Sequence, residues 1–178
     1  MASELTVQTL RGPTSGANAD TVLIPSGQTL HAPGHVLQVV HETGADSDVT
    51  GSSNTWFNGP LSVSITPKLN TSKILFIWSQ PFRLEGSGSI TRGGIRVVRD
   101  GTGIWNTIGL KEMFQIRATS GNQELSQVGC GNVLDSPNTT NQITYYVQGL
   151  WYPDTGTTNM RMWRGSRGAT ATALEIAQ

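Results

Sequence analysis

Leu61-Ser-Val-Ser-Ile-Thr66 and, shortly after it, Lys73-Ile-Leu-Phe-Ile-Trp-Ser79 are the stretches whose reading decides the fold. In the first, Leu61, Val63 and Ile65 fall on one face and Ser62 and Ser64 on the other, the period of two that a half-buried strand requires. The second is apolar at successive positions, which predicts a central strand covered on both faces.

The same habit extends in both directions. Val36-Leu-Gln-Val-Val40 opens the body, and residues 46–59 read as a polar loop containing Trp56 and Phe57. Gly94-Ile-Arg-Val-Val-Arg99 runs into Asp100-Gly101, a dipeptide suited to a tight type I′ hairpin, and then into Gly103-Ile-Trp-Asn106. A further strand or pair is expected between Lys111 and Arg117. Gln142 to Trp151 is rich in aromatic and β-branched residues, Asn159 to Arg164 alternates Met with Arg and Trp, and Ala169 to Ile176 closes the series. Only Ile108 to Phe114 competes as a helix, and it is short. The expectation is an all-β chain, an antiparallel jelly-roll-like β-sandwich over residues 34–178.

Residues 1–33 read differently. Leu5-Thr-Val-Gln-Thr-Leu10 alternates apolar and polar, residues 11–20 are mostly turn formers, and Thr21-Val-Leu-Ile-Pro25 is a short strand stopped by proline. This stretch is too short for a core of its own and too apolar to stay solvated. It is expected to be an extended N-terminal docking arm, with Leu5, Val7, Leu10, Val22 and Ile24 as its contact residues, adding strands to a neighbouring protein.

Composition narrows the function. Charged residues are 13% of the chain, against about 25% in an average domain. Twelve Lys and Arg balance twelve Asp and Glu, and the cations are spread out, which excludes the clustered positive charge that nucleic acid demands. A neutral chain repels its own copies weakly, which suits packing in an assembly. The start of the chain lacks a basic and then apolar signal segment, and no stretch reaches the ~20 apolar residues of a membrane helix. Synthesis in a host cytoplasm is expected, with no membrane partner. Cys130 is the single cysteine; it can form no disulfide within the chain and is expected to pack as a small apolar residue.

Several segments, taken in order, resemble the virion structural proteins of tailed phages. They are residues 5–20, Ile24-Pro-Ser-Gly-Gln-Thr-Leu30, Gly34-His-Val-Leu-Gln-Val-Val40, residues 61–67, Thr71-Ser-Lys-Ile-Leu75, Leu134-Asp-Ser-Pro-Asn-Thr-Thr140 and Leu174-Glu-Ile-Ala-Gln178. The resemblance implies a trimeric β-sandwich head with an N-terminal arm, displayed on the virion surface as a capsid decoration or a tail fibre tip. Fibre members of the family carry repeats of the Ile-Pro-Ser-Gly-Gln-Thr-Leu type, whereas this chain has one copy. That favours a compact knob cementing the capsid over a tail fibre or tail-tip protein that binds a host glycan. The expected partners are two further copies of the chain and other virion proteins, capsid or tail subunits.

A few residues have the chemistry of a site. His31, His35 and His41 could gather around a metal in a symmetric assembly, but Pro33 separates His31 from the others and no acidic or thiol ligand stands at a fixed spacing. Asp46-Ser-Asp48 lacks the remaining ligands of a calcium loop. No serine lies in Gly-x-Ser-x-Gly, and no glycine cluster opens a helix as a phosphate loop does. The chain is expected to be non-enzymatic, without cofactor or metal. Aromatic residues are the better candidates: Trp56, Tyr145, Trp151 and Trp163 as contacts for a subunit or a glycan, with Tyr145 and Tyr146 pointing to opposite faces of one strand.

Overall fold

The computed structural model of the chain describes residues 11–17, 22, 24, 32–44, 47–87, 90–106, 114–117, 121–153, 157–164 and 168–178. The chain divides into two compact units, Met1–His31 and Ala32–Gln178. Leu5, Val7, Leu10, His31 and the side chain of Trp163 lie outside the described residues.

Among the described residues the second unit is all-β, and every strand pairing is antiparallel. Its strands are β1 (Val36–Thr43), β2 (Ser47–Thr50), β3 (Phe57–Ile65), β4 (Lys73–Ser87), β5 (Ile90–Arg99), β6 (Thr102–Asn106), β7 (Phe114–Arg117), β8 (Asn122–Asp135), β9 (Ile143–Pro153), β10 (Thr157–Arg164) and β11 (Thr170–Ile176). One sheet contains the order β1-β11-β4-β8, the other β3-β9-β5-β6. Successive strands switch between sheets in the pattern of two interlocked Greek keys, which is a jelly roll. The expected fold class is the observed one.

β4 organises the first sheet. Lys73 to Ser79 pairs with β11, Phe82 to Ser87 pairs with β10, and the opposite edge pairs along its length with β8. β10 and β11 therefore lie end to end on one side of a single long strand. β2 adds to β10, and β7 adds to β5 in the second sheet.

The core fills the space between the sheets. Ile74, Phe76, Trp78, Phe82 and Leu84 of β4 meet Leu61, Val63 and Ile65 of β3, Tyr145 and Val147 of β9, and Ile95 and Val97 of β5. Phe76 stacks on Tyr145 with ring centroids 5.3 Å apart, and Phe82 stacks on Phe114 at 4.2 Å. β11 turns Ala171 and Ala173 inward beside these rings, which leaves room for them, and buries Glu175 toward its end.

Four expectations are corrected. Residues 46–59 are not one loop: Ser47–Thr50 forms β2 against Arg161–Arg164, because a waiting partner outweighs the poor strand propensity of Ser and Asp. The stretch Asn122–Asp135, unassigned from sequence, is β8. The apolar run of β4 is central in its sheet but uncovered on one face, where Ile77 is 43% exposed. Cys130 is exposed, because alternation along β8 points it away from the core.

Candidate assembly surface

The outward face of the β1-β11-β4-β8 sheet is where the chain departs from an ordinary sandwich. Such a face is normally polar on an antiparallel protein. Here the cross-strand register aligns Val39 of β1 with Leu174 of β11, Leu174 with Leu75 of β4, and Leu75 with Leu134 of β8. Directly paired residues share a face, so the four side chains form one apolar row across four strands. Val39 is 57% exposed and Leu134 54%. Val36, Ile77 and Val128 extend the row into a patch.

The next two rows toward Ser79 are neutral, whereas the row on the other side, Val36–Ile176–Lys73, carries Lys73. His41, Thr172, Ile77 and Asn132 make one, with His41 Nδ1 2.7 Å from Thr172 Oγ1. Thr43, Thr170, Ser79 and Cys130 make the next. Charge is confined to the ends. Arg83 bridges Glu85 and Glu124, the second at 2.8 Å, and so cancels the repulsion between two directly opposed glutamates. A largely apolar surface with charge only at its margins fits protein contact more than phosphate.

Two hydrogen-bonded carboxylates tie down the margin of the sheet. Glu175 of β11 is fully buried, and its Oε1 accepts from the backbone N–H of Lys68 at 2.8 Å and of Leu69 at 3.1 Å. Gln38 Nε2 donates to the other oxygen at 2.6 Å. Burial alone would push this carboxyl up, but the Lys68 amide and the other donors outweigh it and hold the group below its ordinary value. Asp135, the last residue of β8, pairs with Arg99 of β5 and accepts from Tyr145 Oη at 2.7 Å.

The sequence candidates separate on inspection. Tyr145 is completely buried and Trp151 is 9% exposed, its Nε1 donating to the Gly51 carbonyl at 2.9 Å. Both are core residues and not contact residues, because alternation along β9 turns them between the sheets. Tyr146 points the opposite way and is half-buried. Trp56 is half-buried, with the Arg96 guanidinium 4.5 Å from its ring centroid. Arg96 Nε donates to Gln148 Oε1 at 2.6 Å, and Gln148 Nε2 donates to Asn58 Oδ1 at 2.7 Å. Burial pulls the Arg96 guanidinium below its ordinary value. Val22 and Ile24 are exposed. His35 and His41 are exposed, and no metal-binding group of His, Cys, Asp and Glu occurs among the described residues. The apolar row itself escaped the sequence reading; the signal was in Leu75 and Ile77, which were assigned to a covered face.

No protein-family model and no curated protein sequence matches the chain. Among solved structures it is similar to a protein of infectious bursal disease virus strain Gt, with 15% identity and a TM-score of 0.44 over 99% of this chain and 47% of that one. It is also similar to the VP2 subviral particle protein of that virus, with 12% identity and a TM-score of 0.39 over 93% and 45%. A third match is dimeric latent PorU from Porphyromonas gingivalis, at 8% identity and a TM-score of 0.36 over 89% and 15%. The chain spans less than half the length of each of these three.

Proposed function

We propose that the chain is a non-enzymatic virion structural protein, a trimeric surface knob that decorates and cements a capsid. The observation that carries this reading is the apolar row Val39–Leu174–Leu75–Leu134 on the outward face of the sheet, with Val39 and Leu134 open to solvent. A monomer that exposes such a row gains by covering it. The in-order resemblance of seven sequence segments to tailed-phage virion proteins supports the same reading. In it, residues 1–33 are the docking arm, with Leu5, Val7, Leu10, Val22 and Ile24 adding strands to a shell subunit. Three weak arm contacts per trimer then act together.

A tail fibre or tail-tip protein binding a host glycan is the second reading. It is favoured by Trp56 beside Arg96, Gln148 and Asn58, an aromatic ring next to planar hydrogen-bonding groups.

Imaging of particles with and without the protein separates the two. A cement predicts many copies on the head, and heads that rupture at lower temperature when it is missing, with adsorption to cells intact. Few copies at the tail and lost adsorption would overturn the capsid reading.

A further inference from the structure

We infer that the open edge of β8 is a second contact, made with β8 of another copy in an antiparallel register centred on Gly131. Among the described residues β8 pairs only with β4, in an unbroken register from Asn122 to Asp135. Its other edge is therefore a long row of backbone donors and acceptors. Folded proteins guard such edges with proline, bulges, lysines or short length. The other described edges follow that rule. β3 contains Pro60 and an irregularity between Asn58 and Ser62, β1 is irregular between Val36 and Gln38, and β2, β6 and β7 are four or five residues long. β8 has no proline, no lysine or arginine and no bulge. Its two acids, Glu124 and Asp135, are neutralised by Arg83 and Arg99.

The occupant is argued from the residues along the edge. In a two-fold antiparallel pair centred on Gly131, Val128 of each copy stands opposite Leu134 of the other. These are the two exposed large apolar residues of the strand, 56% and 54% exposed, and both are on its outward side. Cys130 then faces Asn132. On the inward side Gly129 faces Val133, and Gly131 faces its own copy without side-chain conflict. No like charges are opposed between Gln127 and Asp135. Residue i contacts j and j contacts i, as an isologous interface requires. A shift by one residue would set Val128 against the inward side of the partner and lose the match. The contact also joins the two apolar faces into one continuous sheet surface. It is made through the strand edge, in addition to any contact that covers the apolar row, and it joins two copies at a time.

Cross-linking tests the register. Val128→Cys and Leu134→Cys are made separately in full-length chains carrying Cys130→Ala, then mixed and treated with a short bis-maleimide. The expected result is a cross-linked dimer in the mixture and little in either variant alone, because residues 128 of the two copies stand roughly 20 Å apart in this register. Equal cross-linking in single variants and mixture, or none in the mixture, would overturn the pairing. Light scattering on the unmodified chain and on Val128→Lys/Leu134→Lys gives an independent readout. The double variant should have a lower mass than the wild type: a trimer from a larger assembly if the trimer reading holds, a monomer from a dimer if it fails. An unchanged mass overturns the inference in either case.

Discussion

Tyr145 Oη donates a hydrogen bond to Asp135 Oδ2 at 2.7 Å, tying β9 of one sheet to the last residue of β8 in the other. Burial, and then the Asp135 carboxylate, push the phenol's pKa up, so Tyr145 keeps its proton and remains the donor. Tyr145→Phe removes this bond and leaves Asp135 paired with Arg99 alone. The variant should lose about 1.5 kcal/mol, the lower end for hydrogen bonds to a charged group. A lower urea midpoint with unchanged slope is the expected reading; an unmoved midpoint would show that the hydroxyl contributes nothing.

Glu175 gives the fold an acid dependence of defined sign. Its folded-state value lies below that of the unfolded chain, so its stabilisation is complete above the unfolded value, ~4.3. The contribution is lost as pH falls from there through the folded value. A proton on Oε2 would also face the Gln38 Nε2 donor, which cannot pair with an O–H. Unfolding free energy measured across this acid range should fall for the wild type. Glu175→Gln should be less stable at pH 7 and flatter with pH. An equal acid slope in both proteins would assign the dependence to other groups.

Gly131 keeps β8 close to the core. A Cβ placed there would lie 3.1 Å from Trp78 Cζ2 and 3.3 Å from Cε2, against a rigid, buried indole. Gly131→Val should therefore cost about 1–3 kcal/mol through overpacking. Asn132→Val, one residue on and facing outward, should stay within about 0.5 kcal/mol of wild type. Calorimetric melting of the two variants measures the contrast, and equal losses would refute it.

Gly131 also shows why part of this fold was hidden in the sequence. Strands with period-two patterns, such as β3, were legible because alternation is a direct image of one buried face. The hairpin at Asp100-Gly101 was legible for a similar reason: φ values of 47° and 86° are what the type I′ turn demands of those residue types. β8 has glycine at the inward positions 129 and 131, where the ring of Trp78 takes the space, and Asn, Gln, Glu and Ser along most of its length. Nothing local marks it as a strand; its long partner β4 does. The assembly surface was hidden by an ambiguity of another kind. A run apolar at every position is written the same way whether its second face is covered within the chain or left for a partner. Leu75 and Ile77 therefore look buried in the sequence although they face outward, and nothing in the sequence marks Tyr145 and Trp151 as the core residues they are.

Trp56 offers the sharpest choice between the two functional readings. One face of its indole is occupied by Arg96, whose guanidinium is oriented by Gln148, itself held by Asn58. A ring committed on one face can stack a sugar only on the other, whereas the apolar row on the opposite sheet is open across four strands. Trp56→Ala should therefore act locally. It removes a cation–π contact of about 0.5–1 kcal/mol at a partly exposed site, lowering the melting temperature slightly. Particles carrying the variant should adsorb to host cells at the wild-type rate and keep their heat resistance. Val39→Lys/Leu134→Lys, by contrast, should leave the knob folded and lower the temperature at which heads rupture. Lost adsorption with Trp56→Ala and full heat resistance with the double lysine variant would reverse the assignment, making Trp56 the centre of a receptor site and the apolar row a bystander.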